Sequence, residues 1–348
     1  MSRVSCISVT YGPTPEIFSL LESVQRHTGD VHCDMTVVTQ PSDEGTMAEE
    51  IAQRAPWVRL IALETNIGFG PANNLAVQQV DSEFIAFLNP DVVVTEGWIP
   101  PLISALNDSR VFVAAPPLLS IEGRVDEAGQ VMFSDGGSDA IGGPQLSFDY
   151  QQTMFSRDVD YASAACWLVR RSVFQKLGGF DPVYTPAYFE DSDLAFTAYS
   201  QGLVSRLVVD RPIVHAHAEA SQSRIDLAER SRTVFQAKWA DVLRSQPTRL
   251  VAGEDGIRVR DHRCDVRKLI LIGDDVAESE VVEIIDTAGA LAAAKPRDRV
   301  CVALNSRPYM EGLRRRLSRV GLEIIQQAPL EVFESRQDWF TSIDQYGI

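Results

Sequence analysis

NIGFGPANNLAVQQVDSEFIAFLNPD, residues 66–91, is the stretch whose reading decides the fold. Asn66–Gly70 is a loop whose glycines, Gly68 and Gly70, permit close backbone approach to a ligand. Pro71–Val80 reads as a helix, and Phe84–Leu88 as a fully apolar strand that stops at Asn89-Pro90-Asp91. The same alternation runs upstream. Val4–Thr10 is a buried strand ending at Tyr11-Gly12-Pro13, followed by a helix with Thr14 as its N-cap and Pro15 at its first position. Met35–Thr39 and Val58–Leu63 are further strands, and Glu49–Arg54 lies in a helix between them. Strand–helix alternation predicts an open, mainly parallel α/β sheet. Ligands of such sheets sit beyond the carboxyl ends of the strands.

Downstream, Val111–Phe155 is irregular, and Asp135–Pro144 reads as a flexible loop rich in Gly, Ser and Asp. Val173–Leu177 is a short helix ending at Gly178-Gly179, and Asp191–Gln201 a second one closed by Gly202. Leu207–Val209 is a strand leading into Pro212–His217, and Ile225–Leu243 a polar helix. The turn-rich stretch from Gln246-Pro247 to Asp261 marks a boundary, giving domains at 1–245 and 262–348. The second reads as a small Rossmann-like unit: strands Lys268–Ile272, Val300–Leu304 and Leu322–Ile325, helices Glu278–Leu291 and Tyr309–Val320. It lacks GxGxxG and GxxxxGK[ST], so no nucleotide is assigned to it.

The chain has 348 residues, 45% of them hydrophobic, enough for one large domain and a small one. Its net charge of −16 disfavours nucleic acid and anionic lipid as partners. The five cysteines form no CxxC pair and their number is odd, which argues against a disulfide framework or zinc cluster and for a reducing cytoplasm. MSRVSCISVTYG has no long apolar core, so it is not read as a signal peptide, and no apolar run reaches the length of a membrane span. A soluble cytoplasmic protein is expected. It would meet any lipid-linked acceptor from the cytoplasmic face of the inner membrane.

Three groups of residues could carry chemistry. Asp91 follows a buried strand directly, which suits a ligand for a hard cation shared with substrate phosphates; a local Asn-Pro-Asp turn is the simpler explanation. Glu190-Asp191-Ser192-Asp193 opens a helix, where carboxylates also cap free N–H groups. Three acids within four residues, preceded by the aromatic and apolar Tyr184–Phe189, are also placed where burial and like charge raise a carboxylate pKa, as a general base requires. His215 and His217 alternate on a strand and face opposite sides, so at most one reaches a given site.

Taken in order, VTYG (Val9–Gly12), NIGFGPANN (Asn66–Asn74), FLNPDVVV (Phe87–Val94), LVRRSVFQKLGGFD (Leu168–Asp181), YFEDSDL (Tyr188–Leu194) and HAHAEAS (His215–Ser221) resemble the inverting family 2 glycosyltransferases of GT-A fold. The rhamnosyltransferase-type branch of bacterial polysaccharide assembly is the most similar. The resemblance covers residues 3–240 and implies a fold, an activity and a site. It places Thr10 and Tyr11 in the nucleotide pocket and Asn66, Gly68 and Asn74 on the wall holding nucleotide and diphosphate. It makes Asp91 the ligand of Mg²⁺ or Mn²⁺ and the diphosphate, with Asn89 in the place of the first acid of that element. Asp191 matches the base, and Glu190 and Asp193 would orient the base or the acceptor. His217 best matches the histidine near the metal, with His215 as the alternative. The chain departs from the family at Thr39, which stands where an acid normally contacts the nucleotide base. The implied partners are a nucleotide-sugar donor and a glycan or lipid-linked glycan acceptor, and the C-terminal unit is the expected surface for self-association. The rival expectation is a degenerate domain that binds a sugar nucleotide or glycan without turnover.

Overall fold

A computed structural model describes residues 3–28, 31–147, 150–216, 222–249, 256–264, 266–294, 298–304, 321–325 and 342–346. They form two compact units, one of residues 1–139 and 159–248, the other of residues 140–158 and 249–348.

In the first unit the chain runs β1 (Arg3–Tyr11), α1 (Ile17–His27), β2 (His32–Gln40), α2 (Ala48–Arg54), β3 (Arg59–Ala62), α3 (Phe69–Gln78) and β4 (Phe84–Leu88). There follow β5 (Val92–Val93), α4 (Ile99–Leu106), β6 (Val111–Ala115), β7 (Leu118–Leu119), β8 (Val125–Glu127), β9 (Gln130–Met132) and β10 (Ser138–Ala140). The excursion of residues 140–158, which belongs to the second unit, carries α5 (Tyr150–Thr153) and the start of β11 (Arg157–Val159), and the first unit resumes with β12 (Cys166–Arg170), α6 (Arg171–Lys176), α7 (Glu190–Ser200), β13 (Val204–Leu207), β14 (Ile213–His215) and α8 (Gln222–Leu243). The main sheet has the order β11-β13-β6-β12-β4-β1-β2-β3. Its β1, β2, β3 and β4 are parallel neighbours, and β12 is inserted antiparallel between β4 and β6. A second sheet, β5-β14-β7-β8, follows the turn after β4.

Both faces of the main sheet are covered, which is why β4 is apolar at every position. Side chains alternate across a strand. Val4 and Cys6 of β1, Met35 and Val37 of β2 and Ala86 and Leu88 of β4 therefore enter one core. That core is closed by Ile17, Leu20, Leu21 and Val24, a 3.6-period stripe on α1, together with Leu102 and Leu106 of α4. Ile7, Val9, Val38, Ile85 and Phe87 enter the other, under Ala72 and Ala76 of α3 and against Trp167, Phe174 and Phe180. Each fully buried large side chain contributes about 1.5–3 kcal/mol.

The start of α3 is fixed by close approach. Gly68 has φ +95°, and a Cβ there would lie 2.9 Å from Thr185 Cγ2 and 3.1 Å from the Pro186 carbonyl. The next amide, of Phe69, donates to that carbonyl at 2.8 Å. Gly68→Ala combines a left-handed backbone with a clash, and should lower unfolding free energy by about 1–3 kcal/mol in a denaturant titration.

Several expected elements differ. Thr14 does not cap α1: its hydroxyl donates to the carbonyls of Tyr11 and Gly12, and a turn through Pro15 delays the helix to Ile17. The strand expected at Leu207–Val209 lies at Val204–Leu207, where it pairs with β6. The stretch from Val111 holds five strands rather than irregular chain, and Ser138–Ala140 pairs with β9 inside the expected loop. The helix expected over Tyr309–Val320 lies outside the described residues.

The second unit holds α9 (Gly256–Arg260), β15 (Arg267–Ile272), α10 (Glu278–Ala294), β16 (Arg299–Leu304), β17 (Leu322–Ile325) and β18 (Ser342–Tyr346). Its sheet is parallel throughout, in the order β17-β16-β15-β18. Residues 140–158 belong to this unit and supply part of its buried centre. Arg260 meets Asp261 at 2.6 Å and Glu323 at 2.9 Å, its guanidinium lies 4.9 Å from the Phe155 ring, and Arg299 reaches Asp261 at 3.3 Å. Arg157, also buried, stacks on Phe155 at 4.7 Å. A chain ending at Thr248 keeps Phe155 and Arg157 but loses these partners. It should be insoluble or melt well below the full chain. Replacing residues 140–158 by a short linker in the same truncation should restore a cooperative melt. Among the described residues, no helix is long and apolar enough to cross a membrane.

Candidate active site

The turn after β4 is held from three sides. Asn89 donates its N–H to the Ala165 carbonyl at 2.9 Å, Val92 N–H returns to the Asn89 carbonyl, and Ala216 N–H meets the Asp91 carbonyl at 2.9 Å. β5 then pairs antiparallel with β14, setting His215 opposite Val92. The pairing brings His215 Nε2 to 3.1 Å from Asp91 Oδ1, with the imidazole buried and the carboxylate partly open. His215, the alternative from the sequence, is thus the histidine at Asp91; His217 lies outside the described residues. A carboxylate oxygen and an imidazole nitrogen converging at a strand end suit a divalent cation. No group of three His, Cys, Asp or Glu that could hold a metal occurs among the described residues, so a cation here would take its remaining donors from ligand and water.

Asp191 is placed by the start of α7. Tyr188 and Phe189 precede it with φ of 75° and 69°, a left-handed pair that non-glycine residues adopt at a cost of about 1–3 kcal/mol each. The Asp191 carboxylate accepts from Ala164 N–H at 3.2 Å through Oδ2, and from Ser192 N–H at 2.7 Å and the Ser192 hydroxyl at 3.3 Å through Oδ1. Burial raises its pKa above the ordinary carboxylate value, and these hydrogen bonds oppose that shift. Glu190 beside it is buried, with Oε2 unpartnered; desolvation, then the charge of Asp191, push its pKa well up.

Two residues expected at the site are committed elsewhere. Asp193 is saturated: Tyr184 OH and Trp239 Nε1 donate to Oδ1 at 3.0 and 2.7 Å, and Lys238 Nζ reaches Oδ2 at 2.8 Å. It ties α8 to α7. Asp193→Ala should destabilise the fold by about 2–3 kcal/mol, low for a buried ion pair because Lys238 stays partly exposed. Donor binding should be retained; thermal melts with and without donor check both. Asn74 is engaged likewise. Its amide donates to the Phe180 carbonyl at 2.7 Å and accepts from Phe180 N–H at 3.0 Å, joining α3 to the loop after α6.

At the ends of β1 and β2, Thr10 and Thr39 pair in register. Both are 0% exposed and their hydroxyls have no partner. Thr39 shares its strand face with Met35 and Val37, so its side chain is not presented to a nucleotide base. Tyr11 is 58% exposed and is open to a planar ligand. Asn66 is exposed and accepts the Gly68 N–H at 2.9 Å. The sequence reading missed Gln40, whose Oε1 accepts from Ile67 N–H at 2.8 Å and sets this loop.

It also missed Glu127. This buried residue accepts from Ser163 N–H at 2.7 Å and from Gln130 Nε2 at 2.6 Å. Burial pushes its carboxyl up to about 7; Ser163 and Gln130 oppose that, and the charge of Asp191 adds to it. Tyr161 is buried nearby with its hydroxyl 2.5 Å from Ser138 Oγ, and its pKa is raised by burial and then by Asp191. No periodicity marks either residue.

The family model described as glycosyl transferase family 2 matches residues 5–178, half of the chain. The match includes Asn89, Asp91, Glu127 and the Ala162–Ala165 turn, and ends before Asp191. The N-acetylglucosaminyl-diphospho-decaprenol L-rhamnosyltransferase of Mycobacterium tuberculosis is 29% identical over 257 residues, covering 66% of this chain and 81% of that protein. The O-antigen biosynthesis protein RfbC of Myxococcus xanthus is 31% identical over 237 residues, 64% of this chain and 18% of that protein. The crystal structure of GalNAc-T7 with UDP, GalNAc and Mn²⁺ aligns with a TM-score of 0.55 at 13% identity. That alignment covers 71% of this chain and 50% of the other, and shows a shared fold.

Proposed function

Because the chain belongs to glycosyl transferase family 2 and is a glycosyltransferase of GT-A fold, we propose that it moves rhamnose or another hexose from a dTDP- or UDP-linked donor to a hydroxyl of a glycan or lipid-linked glycan, with inversion. One observation carries this reading. Consecutive residues of a single turn hold the two acids: Ala164 N–H binds Asp191, and the Ala165 carbonyl binds Asn89 at the head of the Asp91 turn. In this reading the backbone that binds Asp191 also binds the Asp91 turn, beyond β4, where ligands of such sheets bind.

Asp191 takes the proton of the acceptor hydroxyl as its oxygen attacks the anomeric carbon. The carbon–oxygen bond to the diphosphate breaks, and its electron pair leaves with the diphosphate. Burial, and then the charge of Asp191, raise the pKa of Glu190 beside the base. A positioned base is worth about 10²–10⁴-fold. Asp91 beside a diphosphate would repel it, and a shared cation offsets that repulsion. Asp91 and His215 would hold Mg²⁺ or Mn²⁺, which when bound supplies charge stabilisation of the leaving group worth several kcal/mol. Tyr11, Asn66 and the Gly68 backbone would line the nucleotide side.

The M. tuberculosis relative is described as acting on an N-acetylglucosaminyl-diphospho-lipid, so that compound with dTDP-rhamnose is the first substrate pair to test. A calorimetric panel of dTDP-rhamnose, UDP-hexoses and UDP with and without Mn²⁺ should show metal-dependent binding. Release of dTDP or UDP should then follow addition of acceptor. Tight donor binding with no release under any acceptor, and no donor hydrolysis, would favour a binding module.

A further inference from the structure

We infer that Glu127 is a positioning residue that sets the base in register with the donor turn, through the backbone of Ser163–Ala165. The inference rests on Asp191 being the base. Three bonds of this turn's backbone reach three different elements, and one closes the turn on itself. Trp167 Nε1 donates to the Ala162 carbonyl at 2.8 Å, and Ser163 N–H donates to Glu127 Oε1 at 2.7 Å. Ala164 N–H donates to Asp191 Oδ2 at 3.2 Å, Ala165 N–H to Ser163 Oγ at 3.2 Å, and the Ala165 carbonyl accepts Asn89 N–H at 2.9 Å. Moving Ser163 therefore moves the anchor of the base and the anchor of the Asp91 turn together.

Glu127 is itself fixed. Gln130 Nε2 holds its second oxygen at 2.6 Å, and it ends β8, the outer strand of the sheet that also carries His215 on β14. The side chain thus joins the His215 side of the site to the Asp191 side. Its buried oxygen is needed because an amide such as Ser163 N–H, left without an acceptor, costs as much as a lost hydrogen bond. Proline, serine or a solvent-facing residue at position 127 could not supply that acceptor at that reach.

Reach and charge are separable by two substitutions. Glu127→Gln keeps an oxygen at the same distance, and Gln130 can turn its own amide over to meet the new one. Glu127→Asp keeps the charge but withdraws it by one methylene, about 1.5 Å. The assay is dTDP release from dTDP-rhamnose with the N-acetylglucosaminyl-diphospho-lipid, alongside calorimetric donor affinity. Glu127→Gln should retain most of kcat. Glu127→Asp should lose about 10²-fold in kcat with donor affinity unchanged, the scale expected of a misplacement of about 1 Å. In the Asp191→Asn background Glu127→Asp should cause no further loss, because its effect passes through Asp191. Loss in Glu127→Gln equal to that in Glu127→Asp, wild-type kcat in Glu127→Asp, or losses that multiply in the double variant would each overturn the inference. If Glu127→Asp does not fold, Glu127→Gln decides alone: high kcat supports the role and low kcat removes it. Wild-type transfer by Asp191→Asn itself would be a failure of the base assignment, seen before Glu127 is touched.

Discussion

Asp191→Asn should lower transfer by about 10²–10⁴-fold while leaving donor affinity nearly unchanged. The substitution keeps the volume of the side chain and the contact between its remaining oxygen and Ser192 N–H, which is 2.7 Å in the native chain. It removes the basic oxygen. It also turns an NH₂ toward Ala164 N–H, a donor facing a donor, so a stability loss of about 1–2 kcal/mol should accompany it. A thermal melt separates that loss from the rate effect. Helix capping does not explain the residue: the N-cap of α7 is Phe189, and Asp191 lies within the helix. Near-normal transfer would move the role to Glu190, the buried neighbour whose Oε2 has no partner.

Asp91→Ala should abolish Mn²⁺-dependent binding of dTDP- or UDP-sugars. Removing an outer-shell partner of a metal ligand costs about 10–100-fold in metal affinity, so loss of the ligand itself should reach at least the upper end of that range. The fold should survive. Asp91 sits partly exposed on a turn whose backbone bonds, from Ala216 N–H and around Asn89, do not involve the side chain. The buried His215 then loses its carboxylate partner, which predicts a small drop in melting temperature and a large drop in the stabilisation by donor with Mn²⁺. Unchanged metal-dependent binding in this variant would remove Asp91 and His215 from the cation site.

The elements legible in the sequence are those whose pattern is local. β1, β2 and β4 announce themselves as apolar runs, and the acids after β4 and at α7 stand at element ends, where ligands are met. β6, with VFVAA, stands between Asn-Asp-Ser-Arg and Pro-Pro, which masks it in the sequence, yet it lies inside the sheet. β12 went unread because an antiparallel strand inserted into a parallel sheet has no crossover helix to announce it. Side-chain direction was the larger gap. Asp193 and Asn74 have the right spacing for a site, but Trp239, 46 residues away, and Phe180, 106 residues away, decide where they point. The alternation of His215 and His217 allows at most one of them at a given site; the pairing of Val92 with His215 sets His215 beside Asp91. Glu127 was invisible for the same reason, since an acid in VDEAGQ reads as surface until Leu118 pairs with it and Ser163 covers it. The turn-rich composition near residue 250 is visible in the sequence. The membership of residues 140–158 in the second unit depends on partners more than a hundred residues later, such as Arg260 with Gln152.

The proposed transfer is a single displacement, with one base opposite one leaving group. The most direct test is the configuration of the transferred sugar, read from the one-bond carbon–proton coupling at its anomeric carbon and compared with the donor. A product of opposite configuration is predicted. A product with the configuration of the donor would contradict direct attack by an acceptor activated at Asp191.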